Sequence, residues 1–64
     1  MFIELTNTDG GEKALINILK TLHFKPNKFD GTTAQNENGS IDVKESYEQV
    51  KELIKLEVLA ERGY

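Results

Sequence analysis

The stretch Ser40–Arg62 constrains the fold more than any other part of the chain. Ile41-Asp42-Val43-Lys44 alternates apolar and polar residues, which puts Ile41 and Val43 on one face of a strand. Ser46 follows, with Gln49 three residues later. That is the spacing of a capping box: the Ser hydroxyl accepts from the N–H of residue 49 while the Gln side chain reaches back. A helix is therefore predicted from about Tyr47 to about Arg62. Tyr47, Val50, Leu53, Ile54 and Val58 make one stripe along it, and Leu56, Leu59 and Ala60 occupy an adjoining flank. Gly63 stands where a helix-ending glycine belongs, and Arg62 suits the negative end of the helix dipole.

A helix lying on a single sheet needs one apolar stripe about 100° wide. This arc is wider, and Leu56, Leu59 and Ala60 supply the excess. They are the expected surface for a second chain. Size points the same way. At 64 residues the chain is one domain, residues 1–64, with a thin stability margin. Domains this small usually add disulfides, a metal or partner subunits. There is no cysteine and only one histidine, His23, so disulfides and thiolate or histidine-rich metal sites are excluded. Oligomerisation is the remaining supplement, and no cofactor is expected.

The N-terminal half is strand-like at its start. Phe2-Ile3-Glu4-Leu5-Thr6 places Ile3 and Leu5 on one side, and Asn7-Thr8-Asp9-Gly10-Gly11 is a dense turn signal. Residues 12–24 fit two periods. With period two, Ala14, Ile16, Ile18, Leu22 and Phe24 face one way and Lys20 is the exception. With period 3.6, Leu15, Ile18, Leu19 and Leu22 form a helical stripe. Pro26 ends whatever precedes it. Gly31-Thr32-Thr33-Ala34-Gln35 is compatible with a short strand, and Asn36-Glu37-Asn38-Gly39 signals a second hairpin centred on Asn-Gly.

Candidate chemistry is sparse. Glu45, Glu48 and Glu52, interspersed with Lys44, Lys51 and Lys55, read as a solvated face with helical ion pairs rather than as an acid–base pair. His23 sits between Leu22 and Phe24 with no nucleophile or orienting carboxylate in sequence range, so it reads as a surface or interface residue. Asp9-Gly10-Gly11 lacks the spacing and lysine of a phosphate loop. Lys20, His23, Lys25 and Lys28, interleaved with Phe24 and Phe29, form the one locally basic segment. This composition suits stacking on single-stranded nucleic acid and equally a strand edge guarded by lysine. The net charge of −3 disfavours a polyanion, but a small anionic ligand of nucleotide type is penalised less.

The opening Phe2-Ile3-Glu4-Leu5-Thr6 with Asp9-Gly10 and Leu15-Ile16-Asn17 resembles the start of FlbD-like flagellar and swarming-motility proteins. The closing Asn38-Gly39-Ser40-Ile41-Asp42-Val43-Lys44-Glu45-Ser46, with Glu48, Val50 and Ile54, resembles them more closely. Similar short proteins occur in phages and prophages. The chain departs from the pattern at Lys25–Ala34 and extends beyond its usual end past Leu56. The resemblance implies a small meander of strands followed by a helix, and no enzymatic activity. It also favours strands over a helix for residues 12–24, broken near Leu19-Lys20.

The expected fold is α+β: an antiparallel meander of about four strands closed by one C-terminal amphipathic helix. The expected core is Ile3, Leu5, Ile16, Ile18, Leu22, Ile41, Val43, Val50, Leu53 and Ile54. The expected function is a non-enzymatic, self-associating interaction module, of phage or prophage accessory type, that binds a protein partner. One alternative is an oligomer that sequesters a small anionic nucleotide-type ligand through Lys20, His23, Lys25 and Lys28. A weak nucleic-acid binder is another. Met1-Phe2-Ile3-Glu4 carries no signal-peptide pattern and no apolar run reaches the roughly 20 residues of a membrane span, so a cytoplasmic location is expected.

Overall fold

The computed structural model describes residues 1–62, Arg62 by its backbone alone. The expected glycine stop at Gly63 and the Arg62 side chain lie outside the described residues. The elements in order are β1 (Phe2–Thr6), β2 (Lys13–Asn17), a 3-10 turn (Ile18–Lys20), β3 (His23–Pro26), β4 (Thr32–Asn36), β5 (Gly39–Val43) and α1 (Tyr47–Arg62). The fold is α+β, with five strands where about four were expected. β1 and β2 form one antiparallel hairpin, and β3, β4 and β5 form a three-stranded meander. The two sheets meet at one corner. Asn7 bridges Val43, Thr8 N–H donates to the Asp42 carbonyl (3.0 Å), and Lys44 N–H donates to the Thr6 carbonyl (2.8 Å). The spatial order is thus β2-β1-β5-β4-β3.

Residues 12–24 are two strands with a break, and the cause is local. Asn17 Oδ1 accepts from Leu19 N–H at 3.1 Å, and the Asn17 carbonyl accepts from the Thr21 hydroxyl at 2.8 Å. These bonds turn the backbone into one 3-10 turn and release it again as β3. The Asp9-Gly10-Gly11 turn forms as expected, with φ of 92° at Gly10 and 73° at Gly11. The second hairpin falls on Asn36–Gly39 as expected, but its loop is not Asn38-Gly39. Its two loop residues are Glu37 and Asn38, because Gly39 already pairs with Asn36 as the first residue of β5. Asn38 N–H donates to Asn36 Oδ1 at 2.8 Å. This side-chain turn starts the reversal one residue earlier than an Asn-Gly centre would.

Strand register sorts the side chains. In the three-stranded sheet, Phe24, Ala34 and Ile41 form one inward row, and Pro26, Thr32 and Val43 the next. In the hairpin, Ile3 pairs with Ile16 and Leu5 with Ala14. α1 packs against β1 and β3. Ile3, Leu5, Val43 and Val50 make the buried centre, with Ile16, Ile18, Phe24, Ile41, Leu53 and Ile54 partly buried against it. Nine of the ten expected core residues belong to this cluster. Leu22 does not: it is 68% exposed. It precedes β3, beyond the inward row that begins at Phe24, so alternation assigned it a face the sheet does not extend to cover. Ala34 is buried and was missed, because its neighbours Thr33 and Gln35 hid the strand among polar residues.

Candidate interaction surface

The corner where the sheets meet is held by one carboxylate. Glu45 accepts from Thr6 N–H and from Thr6 Oγ1, both at 2.8 Å, and Lys13 Nζ reaches the same hydroxyl at 3.0 Å. The Glu45 carbonyl accepts from the hydroxyl of Thr32, which is fully buried. Burial pushes the Glu45 carboxyl up, but the amide and hydroxyl of Thr6, its own amide and the charge of Lys13 outweigh this, so the net shift is downward. Glu45 is therefore not part of a solvated helix face, which corrects the sequence reading. Thirty-nine residues separate it from Thr6, so no local spacing signals the pair. The capping box forms as expected. Gln49 N–H donates to Ser46 Oγ at 3.2 Å, and Ser46 N–H donates to Gln49 Oε1 at 2.8 Å. Among the described residues one ion pair forms, Lys51 with Glu48 at 3.7 Å.

The basic segment is spread over three places. His23 and Lys25 share the outer face of β3. There the register gives two rows, His23–Gln35–Ser40 and Lys25–Thr33–Asp42. The Thr33 hydroxyl donates to Asp42 Oδ1 at 2.7 Å, so an acid shares the face with Lys25. Lys28 lies at the tip of the Asn27–Gly31 loop, its Nζ 5.5 Å from the Phe29 ring centroid. Asn27 Oδ1 holds that loop by accepting from Phe29 N–H (2.9 Å) and Gly31 N–H (3.1 Å). Lys20 lines a separate cleft of about 250 Å³ between β2, the 3-10 turn and the β4–β5 turn. Glu37 lines it too, with Leu15, Asn17, Asn36 and Asn38. Among the described residues no group of three or more His, Cys, Asp or Glu is placed to hold a metal ion.

Comparison with protein-family models, curated proteins and solved structures finds no match to this chain. The resemblance to FlbD-like proteins accordingly stands on the residues quoted for it.

The surface is apolar in unusual places. Phe2, Leu15, Leu19, Leu22, Phe29, Leu56 and Leu59 are all more than half exposed. On α1, Val50 faces the sheets and is fully buried. At 100° per residue Leu59 lies roughly opposite Val50 and Leu56 roughly 120° from it, so one chain cannot cover all three. Ala60 is exposed beside them. The expected interface residues Leu56, Leu59 and Ala60 are thus uncovered by their own chain. Among the described residues no helix is long and apolar enough to cross a membrane.

Proposed function

We propose that the chain is a non-enzymatic interaction module that associates with itself through the outer flank of α1. One observation carries the reading. Seven large apolar side chains are more than half exposed, against five buried hydrophobic residues, among the described residues. A domain with so small a core gains from a second copy. The resemblance to FlbD-like and short phage or prophage proteins supports a cytoplasmic accessory role with a protein partner.

The flank sets the strength of association. Leu56 and Leu59 are 56% and 55% exposed, so full burial of each adds about 1–1.5 kcal/mol. Two copies together gain roughly 4–6 kcal/mol against an association cost of about 4–15 kcal/mol. The flank alone leaves little or no net gain, so a dimer at tens of micromolar needs further contacts. Light scattering at tens of micromolar tests the reading. Wild type should exceed monomer mass, and Leu56→Glu should lower it while circular dichroism keeps the helix signal. A clean wild-type monomer refutes self-association.

A further inference from the structure

The two sheets meet along β1 and β5 at one corner, and their far edges, β2 and β3, are built differently. Antiparallel ladders alternate hydrogen-bonded and non-bonded pairs. At the ends of the β1–β2 ladder, Asn7 N–H donates to the Glu12 carbonyl (2.7 Å) and Ile18 N–H to the Met1 carbonyl (3.1 Å). Both lie in the register that pairs Ile3 with Ile16 and Leu5 with Ala14. Those two are therefore the bonded pairs within the strands. The N–H and C=O groups of Lys13, Leu15 and Asn17 point away from β1.

On β3 the same reasoning gives a blunted edge. Asn27 N–H donates to the Gly31 carbonyl (3.1 Å), continuing the register of Lys25 with Thr33 and His23 with Gln35. The backbone groups of Phe24 and Pro26 then point away from β4, and Pro26 has no N–H, so Phe24 supplies the one donor of that edge. Proline and lysine are the usual guards of an edge strand. β2 has no proline, glycine or bulge, its one lysine is Lys13 at its first position, and it offers three donors. Its C-terminal half borders the open cleft, and Leu15 is 68% exposed.

We propose that the free edge of β2 pairs with β2 of a second copy, antiparallel about a two-fold axis through Leu15. In that register Lys13 of each copy lies opposite Asn17 of the other, and Leu15 lies opposite Leu15. All three outward-pointing residues fall in bonded pairs, giving about six inter-chain backbone hydrogen bonds. No other two-fold register aligns all three. Like charges do not meet, because lysine faces asparagine. Ala14 faces Ile16 on the inner side, which extends the apolar face of both hairpins. The Asn17 carbonyl already takes the Thr21 hydroxyl, and its second lone pair serves the partner. The pairing rests on the premise that the chain associates with itself, but it does not need the α1 flank.

Leu15→Lys is the test. It places lysine against lysine at the axis, while Glu4, directly across from residue 15 on β1, keeps the hairpin supported within one chain. Leu15→Thr is the neutral control. Amide hydrogen exchange is read by NMR on the full chain at a concentration where wild type exceeds monomer mass. Wild type and Leu15→Thr should protect the amides of residues 13, 15 and 17 roughly tenfold or more over Leu15→Lys, with Ala14 and Ile16 unchanged. Leu15→Lys should also lose mass. An oligomer in which residues 13, 15 and 17 exchange freely, or one that Leu15→Lys leaves intact, overturns the pairing. If Leu56→Glu abolishes such an oligomer, the helix-flank reading survives while this one fails. A wild-type monomer overturns both.

Discussion

Glu45 offers the sharpest test of how the two sheets are joined. Replacing it with alanine removes both acceptors of Thr6 and the carboxylate near Lys13. A hydrogen bond to a charged group contributes about 1.5–3 kcal/mol. The site is half-buried, so water takes over part of each lost bond. The expected cost of Glu45→Ala is therefore about 1–3 kcal/mol, below the sum of two full charged bonds. A chain of this size has a total stability of roughly 3–10 kcal/mol. With a urea slope of about 1 kcal/mol/M, the midpoint should fall by about 1–3 M at pH 7.

The pH dependence separates charge from packing. The folded-state pKa of Glu45 lies below its ordinary value. Its contribution is therefore complete above the unfolded pKa, near 4.3, and is lost as pH falls through the folded one. Wild type and Glu45→Ala should differ most at pH 7, and the gap should shrink in acid towards the smaller one between Glu45→Gln and Glu45→Ala. Glu45→Gln keeps the shape and one acceptor but not the charge. It should cost less than alanine and show no such pH-dependent gain. Urea titrations of all three from pH 7 to about pH 2 make the comparison. Equal stability at pH 7, or a difference as large in acid as at pH 7, refutes the role assigned to the carboxylate.

Two further substitutions test local features. Ser46→Ala removes the acceptor for Gln49 N–H and should cost about 1 kcal/mol, or roughly 4–8 °C in the thermal midpoint; an unchanged midpoint refutes the cap. Gly31→Ala would drive a Cβ into the Val43 carbonyl oxygen, a backbone atom that cannot swing aside. It should cost about 1–3 kcal/mol or more and lower the urea midpoint in proportion, whereas wild-type stability would show that β4 and β5 can separate there.

The legible parts of the fold were those whose cause lies within a few residues. The capping box, the Gly10-Gly11 turn and the alternation of Ile41 with Val43 each rest on neighbours one to four positions apart. Their side chains do what their spacing requires. Residues 12–24 fit two periods, and their Leu, Ala, Lys and Glu content leans towards the helix. The deciding contacts are made by Asn17, a polar residue that enters neither pattern. Its side chain and carbonyl break the chain where a helix would otherwise continue. β4 was faint for the opposite reason. Its inward residues are Thr32 and Ala34, one polar and one small, and only the tertiary bond from the Thr32 hydroxyl to Glu45 makes burial of that threonine affordable.

The candidate surfaces divide along the same line. The excess width of the helix was visible because helical angle follows from residue number alone, and Leu56 and Leu59 are exposed where that angle places them. The β2 edge was not visible. Which backbone groups of a strand point outward depends on the partner register, and register is a relation between two segments rather than a property of one. Lys13-Ala14-Leu15-Ile16-Asn17 reads as a strand in either phase. The phase is set by the bonds at Asn7–Glu12 and Met1–Ile18, which leave the odd-numbered residues unpaired. Had the register slipped by one, Ala14 and Ile16 would carry the free amides. The two-fold pairing would then place alanine or isoleucine at its axis and Leu15 on the inner face. Exchange at residues 13, 15 and 17 therefore reports on the intramolecular ladder as directly as on the partner strand.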